Sequence, residues 1–511
     1  MIRNQLFSTI ASVRTASVHL ASAVVVASAV LVFAPAETRA QPLPDSIVAP
    51  DAVRAFIAQL GAKPPQSDEK FVKQWFDPQA FTFESPDRIA NTLRTARTTS
   101  GGVVFVRAEQ RGSSPWLLVQ AVRTGHERWI PLFIERQRLV GWDVRIDPFA
   151  GSAQPPALPS QPVAPDSILP VVRQWLRWWA ERDHWSGTVG LAQGDSVLMV
   201  QGIGRAIREQ DVPAAVDTRY HLGSANKMLT AVRILQLVRD GQLRLDDTVQ
   251  RVLPMYPRPD VGNRITVRQL LTHTAGLGGL FEHPAYKVKK RYGSHIKLLE
   301  VLRDRELFFA PGTAYRYSNE GYLVLGAIIE HITKQSYEQN ISEHILRVAD
   351  MQGWCDCVTR YDVTQRADGY SYHERDDPLA VNGVVNNRWF IGAEGLSLGG
   401  FYATAPDMLK FARAMHHGRL LPDSLRTLLW TREPVAAPAA YGLGMVLNSF
   451  EGQTAWGHGG GGGRSGIGVE FGALQDGSWS LAVMGNRDQS DARLLYVPLM
   501  RFLARQTLAG R

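Results

Sequence analysis

Tyr220-His221-Leu222-Gly223-Ser224-Ala225-Asn226-Lys227-Met228-Leu229-Thr230-Ala231-Val232-Arg233-Ile234-Leu235 is the stretch on which the reading of this chain turns. Tyr220–Gly223 reads as a strand and a turn, and Met228–Leu235 as a buried helix. Ser224 and Lys227, three apart at the helix start, share one face, so Oγ and Nζ can meet. A helix N-terminus favours a developing alkoxide, and a desolvated lysine can lose its proton and serve as base. The S-x-x-K spacing alone is weak evidence. Ser67–Lys70 and Ser294–Lys297 match it too, the first as a charged, solvated helix start and the second as a helix cap.

Context singles out Ser224. Ile265-Thr266-Val267-Arg268-Gln269-Leu270-Leu271-Thr272-His273-Thr274-Ala275-Gly276-Leu277 reads as a short helix capped by Thr266 and ended by Gly276. Pro311-Gly312-Thr313-Ala314-Tyr315-Arg316-Tyr317-Ser318-Asn319-Glu320-Gly321-Tyr322 reads as a turn that delivers Tyr317 and Asn319 ahead of a helix over Tyr322–Ile332. His458-Gly459-Gly460-Gly461 falls late in the chain, between two strands. A hairpin over Trp185–Ala206, turning at Gly194-Asp195, and strands at Tyr441–Phe450, Ile467–Phe471 and Trp479–Met484 enclose a helical region from Ser224 to about Met415. Strands at both ends imply one antiparallel sheet closed by distant segments.

These four segments, in this order, resemble the class C β-lactamase family, which also holds D-amino-acid peptidases, DD-peptidases and esterases. The resemblance covers roughly Pro165 to the C-terminus. It implies an α+β, β-lactamase/transpeptidase-like fold: an antiparallel sheet flanked by helices with a helical insertion. It implies that Ser224 is the acylated nucleophile, Lys227 the base and Tyr317 the proton relay. Asn319 would hold a substrate amide, and the N–H groups of Ser224 and about Gly461 would form the oxyanion hole; Gly460 and His458 complete the substrate-binding set. His458 departs from the family's K-T-G pattern and matches the H-x-G of peptidase and esterase relatives. A neutral histidine holds a carboxylate less strongly than lysine, which disfavours a β-lactam substrate. His416-His417-Gly418, another H-x-G match, reads as a helix end. No cofactor or metal is implied: covalent serine catalysis needs neither, and Cys355 and Cys357 lack further ligands nearby. Their one-residue spacing would make a small, strained disulfide ring.

The implied substrate is a small-molecule ester, a D-amino-acid-containing peptide or amide, or a β-lactam-like compound. Two other readings compete. Gly395-Leu396-Ser397-Leu398-Gly399 matches G-x-S-x-G, with Asp407 and His458 following in α/β-hydrolase order, but that elbow needs a strand before the serine and a helix directly after it. Alternatively the chain is a true β-lactamase, or a slow-acylating penicillin-binding receptor without turnover.

The remaining sequence sets the surroundings. Of 511 residues, 45% are apolar and 20% charged, as in globular chains of two or three domains. Arg3 and Arg14, an apolar run over His19–Ala34 and small residues up to Ala40 read as a signal peptide over residues 1–40. Such a leader places the protein in the periplasm or outside the cell with no membrane span after cleavage. The alternative is an uncleaved anchor, because the run is only slightly short for a span. Arg3, Arg14 and Arg39 against Glu37 give the leader +2 of the formal +8. The remaining basic residues are interleaved with acids, which argues against a nucleic-acid partner. Ala150–Asp166, with five prolines, reads as a linker. Before it, residues 41–149 read as a small α+β domain, with a helix face of Val53, Phe56, Ile57 and Leu60 and then a four-stranded meander. That pattern resembles NTF2-like or cystatin-like modules. Residues 167–511 read as the hydrolase domain. The loops Phe281–Arg291 and Tyr361–Phe390 would line its pocket.

Overall fold

Strand β5 (Gly187–Gln193) and strand β10 (Trp479–Gly485), nearly three hundred residues apart, are neighbours in one sheet, paired from Thr188 with Met484 to Gln193 with Trp479. The computed structural model describes residues 42–77, 86–111, 114–123, 127–135, 137–142, 155–278, 280, 293–355, 365–371, 384–387, 396–462 and 465–508. The leader, Cys357, the loop 281–291 and most of 361–390 lie outside the described residues.

Residues 42–142 form helices α1 (Pro50–Leu60), α2 (Asp68–Trp75) and α3 (Pro86–Ser100), then an antiparallel sheet in sequential order: β1 (Val103–Arg111), β2 (Ser114–Ala121), β3 (Glu127–Glu135) and β4 (Arg138–Trp142). Val53, Phe56 and Leu60 are fully buried in a cluster with Leu117, Ile130 and Leu139. Ser67 caps α2, as its sequence suggests, by accepting from the Lys70 N–H. Asp68 is not solvated, however: it is buried and takes hydrogen bonds from Arg97 and Gln59. Pro165 and Asp166, read as the end of the linker, are instead the first turn of α4 (Pro165–Glu181), because proline suits the first helical position.

The second sheet runs in the order β7 (Val446–Phe450), β8 (Gln453–Gly461), β9 (Gly468–Leu474), β10, β5 and β6 (Ser196–Ile203), antiparallel throughout. Successive side chains alternate between the faces of a strand. Both faces are covered here, so β9 and β10 are buried along their whole length. On one face Val189, Leu191, Leu481 and Val483 pack against α4 and the C-terminal helix α9 (Gln489–Leu508). On the other, Trp456, Val469, Phe471 and Ala482 join the larger core, with α5 (Lys227–Arg239), α7 (Asn319–Thr333) and α8 (Ala405–His416). Helix α5 is apolar on nearly every side and buried from Lys227 to Leu237, which makes it the centre of that core.

Three local expectations need correction. His458–Gly461 is not a loop between strands but the end of β8, in register with Gly468–Phe471 of β9. Helix α6 (Val267–Leu271) keeps its Thr266 capping box but ends before Gly276. His273 takes the left-handed conformation there (φ 59°), with the Thr274 N–H bonded to Gln269 O at 3.0 Å. Helix α7 begins at Asn319, three residues earlier than expected, because Ser318 caps it by accepting from the Gly321 N–H.

Leu191 lies on β5, on the sheet face that packs against α4 and α9, and is fully buried. Leu191→Ala is expected to lower the unfolding free energy by about 2–5 kcal/mol through lost burial and the cavity left behind, measured by urea unfolding.

Candidate active site

Ser224 sits in a single turn of 3-10 helix, Gly223–Asn226, that runs directly into α5. The turn is pressed against the end of β8. A Cβ on Gly460 would stand 1.8 Å from Leu222 O, and one on Gly223 would stand 2.6 Å from the Gly461 nitrogen. Only glycines allow this approach, which brings the Gly461 backbone beside the Ser224 turn. Strand β7 pairs with β8 only as far as Gly457, so His458–Gly461 pair with β9 alone among the described strands. Ser224, Tyr317, His458, Gly459, Gly461 and Arg493 line one cavity of about 240 Å3.

Lys227 is fully buried. Its Nζ lies 3.0 Å from Ser224 Oγ, 2.8 Å from Asn319 Oδ1 and 2.7 Å from Leu398 O. Burial holds its pKa well below the usual 10.5 of a lysine amine. An uncharged amine has two hydrogens and one lone pair. The amide oxygen and the carbonyl can only accept, so they take both hydrogens, and the lone pair faces the Ser224 hydroxyl. Tyr317 and Tyr322 present their rings to Nζ at 5.0 and 5.3 Å.

Tyr317 has the opposite bias. Burial pushes its phenol pKa well above 10, against a smaller opposing effect of its hydrogen bond with Ser224. It is therefore a phenol, not a phenolate, at neutral pH. The 266–274 segment fixes it in place: the Arg316 N–H donates to His273 O at 2.9 Å, and the Ser318 N–H donates to His273 Nδ1 at 3.0 Å. The His273 and Tyr317 rings lie 4.2 Å apart. Burial, the largest cause, holds the His273 imidazole pKa well below its usual value and keeps the ring neutral.

His458 is buried with both ring nitrogens engaged. Nδ1 donates to Gly459 O at 2.5 Å, and Nε2 accepts from the Tyr441 hydroxyl at 3.0 Å. Burial, the largest cause, pushes its pKa down to about 3. It is an uncharged wall of the cavity with no hydrogen-bonding capacity to spare.

Ser224, Lys227, Tyr317 and Asn319 thus converge, with Gly461 adjacent. Asn319 departs from the role expected of it: its oxygen serves Lys227, which leaves only Nδ2 for a substrate amide. Gly460 is buried against Leu222, and its part is steric. Sequence reasoning missed three contributors. Leu398 acts through its backbone and leaves no side-chain signal. Tyr441 stands outside any motif. His273 sits inside a quoted motif, where a buried histidine in a left-handed position is the legible clue. The rival nucleophile Ser397 is fully buried, and its Oγ donates to Tyr322 O at 2.7 Å. Ser294 caps a helical turn by accepting from the Lys297 N–H, and His417-Gly418 ends α8.

Residues 177–504 match the model of the family described as Beta-lactamase. PbpX of Bacillus subtilis is 27% identical over 268 residues, 51% of this chain and 62% of its own length, so this chain spans less than two thirds of that relative. Among solved structures, a D-amino acid amidase from Ochrobactrum anthropi is 22% identical with a TM-score of 0.57, over 68% of this chain and 100% of that one. A penicillin binding protein from Bacillus halodurans is 23% identical with a TM-score of 0.55, over 62% and 97%. At these identities the two structures establish the shared fold.

Gly460→Ala is expected to separate β8 from the Ser224 turn and reduce ester hydrolysis at least ~100-fold, the effect of losing an oxyanion donor. Gly462→Ala, whose Cβ would meet nothing within 4 Å, is the matched control and is expected to keep activity. Steady-state kinetics on both variants check this.

Proposed function

This chain belongs to the beta-lactamase family, and from that premise we propose that it is an exported serine hydrolase that passes the acyl group of an ester or a D-amino-acid-containing amide to water through an acyl-Ser224 intermediate. The observation that carries the proposal is the division of hydrogen bonds at Lys227, which aims a lone pair at Ser224 Oγ from 3.0 Å. Lys227 takes the hydroxyl proton as Oγ bonds to the substrate carbonyl carbon. The N–H groups of Ser224 and Gly461 receive the developing oxyanion. The Tyr317 phenol gives its proton to the departing alcohol or amine and is reprotonated from the Lys227 ammonium. Water then attacks the acyl-enzyme, its proton returns through the same groups, and Ser224 is released as the hydroxyl.

The family's small-molecule amides and β-lactams bound the substrate class. The D-amino acid amidase named above supports the amide branch by analogy alone. The neutral, fully engaged His458 speaks against a substrate held by a carboxylate at that position. In the β-lactam alternative the carboxylate partner would be Arg493, which lies 3.6 Å from Glu470. Export rests on the leader-like residues 1–40; among the described residues no helix is long and apolar enough to cross a membrane.

The deciding experiment is p-nitrophenyl butyrate hydrolysis by the wild type and by Ser224→Ala. The expected loss is roughly a thousandfold or more in kcat/KM; equal rates refute acyl-serine chemistry at Ser224. With nitrocefin, a trapped stoichiometric acyl-enzyme favours the receptor reading, and repeated turnover excludes it.

The pH profile follows from Lys227. The base works only when neutral, and its pKa is depressed, so activity is lost as pH falls through that lowered value. The kcat/KM profile is expected to show an ascending limb well below pH 10.5. Lys227→Arg is expected to abolish activity, since a guanidinium stays charged; an active arginine variant refutes the base assignment.

A further inference from the structure

Glu330 and His295 form a buried hydrogen-bonded contact that the chemistry above does not use. His295 Nδ1 lies 2.7 Å from Glu330 Oε1, and both side chains are under one tenth exposed. The Ser397 N–H donates to His295 Nε2 at 2.9 Å, which fixes the tautomer: Nε2 accepts, so the hydrogen is on Nδ1 and points at the carboxylate. Glu330 also accepts from the backbone N–H groups of His295 (3.2 Å) and Ile296 (3.3 Å). The imidazole is therefore oriented from both sides.

What it holds is a strap, Leu396–Gly399, closed on itself by reciprocal bonds between Leu396 and Gly399 of 2.6 and 2.9 Å. Three successive carbonyls of the strap receive three side chains from the start of α5. Leu396 O accepts from Asn226 Nδ2 at 3.2 Å, Ser397 O from Thr230 Oγ1 at 2.7 Å, and Leu398 O from Lys227 Nζ at 2.7 Å. The seat on α7 is Gly326: a Cβ there would come within 2.4 Å of both His295 Cδ2 and Ser397 Oγ. Helix α7 thus controls both acceptors of the Lys227 hydrogens, Asn319 Oδ1 at its first residue and Leu398 O through Glu330, His295 and Ser397.

We propose that Glu330 and His295 are positioning residues for Lys227: they fix the strap whose Leu398 carbonyl takes one amine hydrogen and whose bulk keeps water from Nζ. The proposal rests on the reading of Lys227 as the base. A purely structural pair would hold the strap for stability alone, and the two cases differ in what is measured.

The test uses Glu330→Gln and His295→Gln in the full chain, with p-nitrophenyl butyrate as substrate. The glutamine at 330 keeps the shape but loses the carboxylate; the glutamine at 295 can still accept from Ser397 but loses the Nδ1 donor. Positioning predicts that kcat falls ~10–100-fold, the scale of a misplaced reacting group, with KM within about twofold. It also predicts that the ascending limb of the pH profile moves to higher pH as water reaches Nζ. Thermal melting reports the folded fraction. Folded variants with wild-type kcat and an unmoved limb overturn the proposal, as does a fall in kcat with the limb in place. If neither variant folds, the pair is a folding determinant and the proposal fails. The underlying reading fails separately: Ser224→Ala or Lys227→Arg would then retain activity, whatever the two glutamine variants do.

Discussion

Lys227 Nζ meets two oxygens that can only accept and one hydroxyl that can donate. A protonated amine would also find three partners here, but among the described residues no carboxylate pairs with it, and its other neighbours are tyrosine rings and neutral imidazoles. Burying a charge without an opposite partner costs several kcal/mol, which is why the Lys227 pKa lies well below its usual value. The fold surrounds this buried amine from several sides. Helix α5 supplies the lysine, β8 the wall beyond Ser224, α7 the amide oxygen and the strap at 396–399 the carbonyl. These elements come from four separate parts of the chain, and none of them forms the site by itself.

Helix α7 carries more of this than its motif suggests. At about 1.5 Å per residue, Asn319 and Glu330 are some 16 Å apart along one rigid rod. One end reaches Lys227 directly; the other reaches it through an imidazole and a backbone amide. A shift of α7 would move both acceptors together. His273 adds a third tie, pinning residues 316 and 318 just ahead of the helix, so Tyr317 is fixed relative to the same rod.

What was legible in the sequence is what depends on local spacing. Ser224 and Lys227 on one helical face, the Thr266 cap and the closing of one sheet by strands from both ends were all readable. Partners supplied by the backbone or by distant residues were not. Leu398 contributes only a carbonyl, and the G-x-S-x-G around it offered Ser397, which is buried with its Oγ bonded to Tyr322 O. Glu330 and His295 are 35 residues apart, and each alone reads as an ordinary helix residue. The glycine run after His458 read as a loop because glycine is weak in strands. Here the strand tolerates it because side chains would not fit: a Cβ on Gly457 would lie 2.0 Å from Phe471 O, and one on Gly460 1.8 Å from Leu222 O.

The same glycines bear on what the cavity accepts. The His458 Nδ1 hydrogen goes to its own neighbour's carbonyl, and its Nε2 lone pair accepts from Tyr441. That side of the cavity offers backbone and an uncharged ring, so recognition there works by shape and main-chain hydrogen bonding. Arg493 lines the same cavity, 3.6 Å from Glu470. A polar group entering at that wall sheds water with no hydrogen bond from the imidazole in return, a constraint set by one histidine and the tyrosine that holds it.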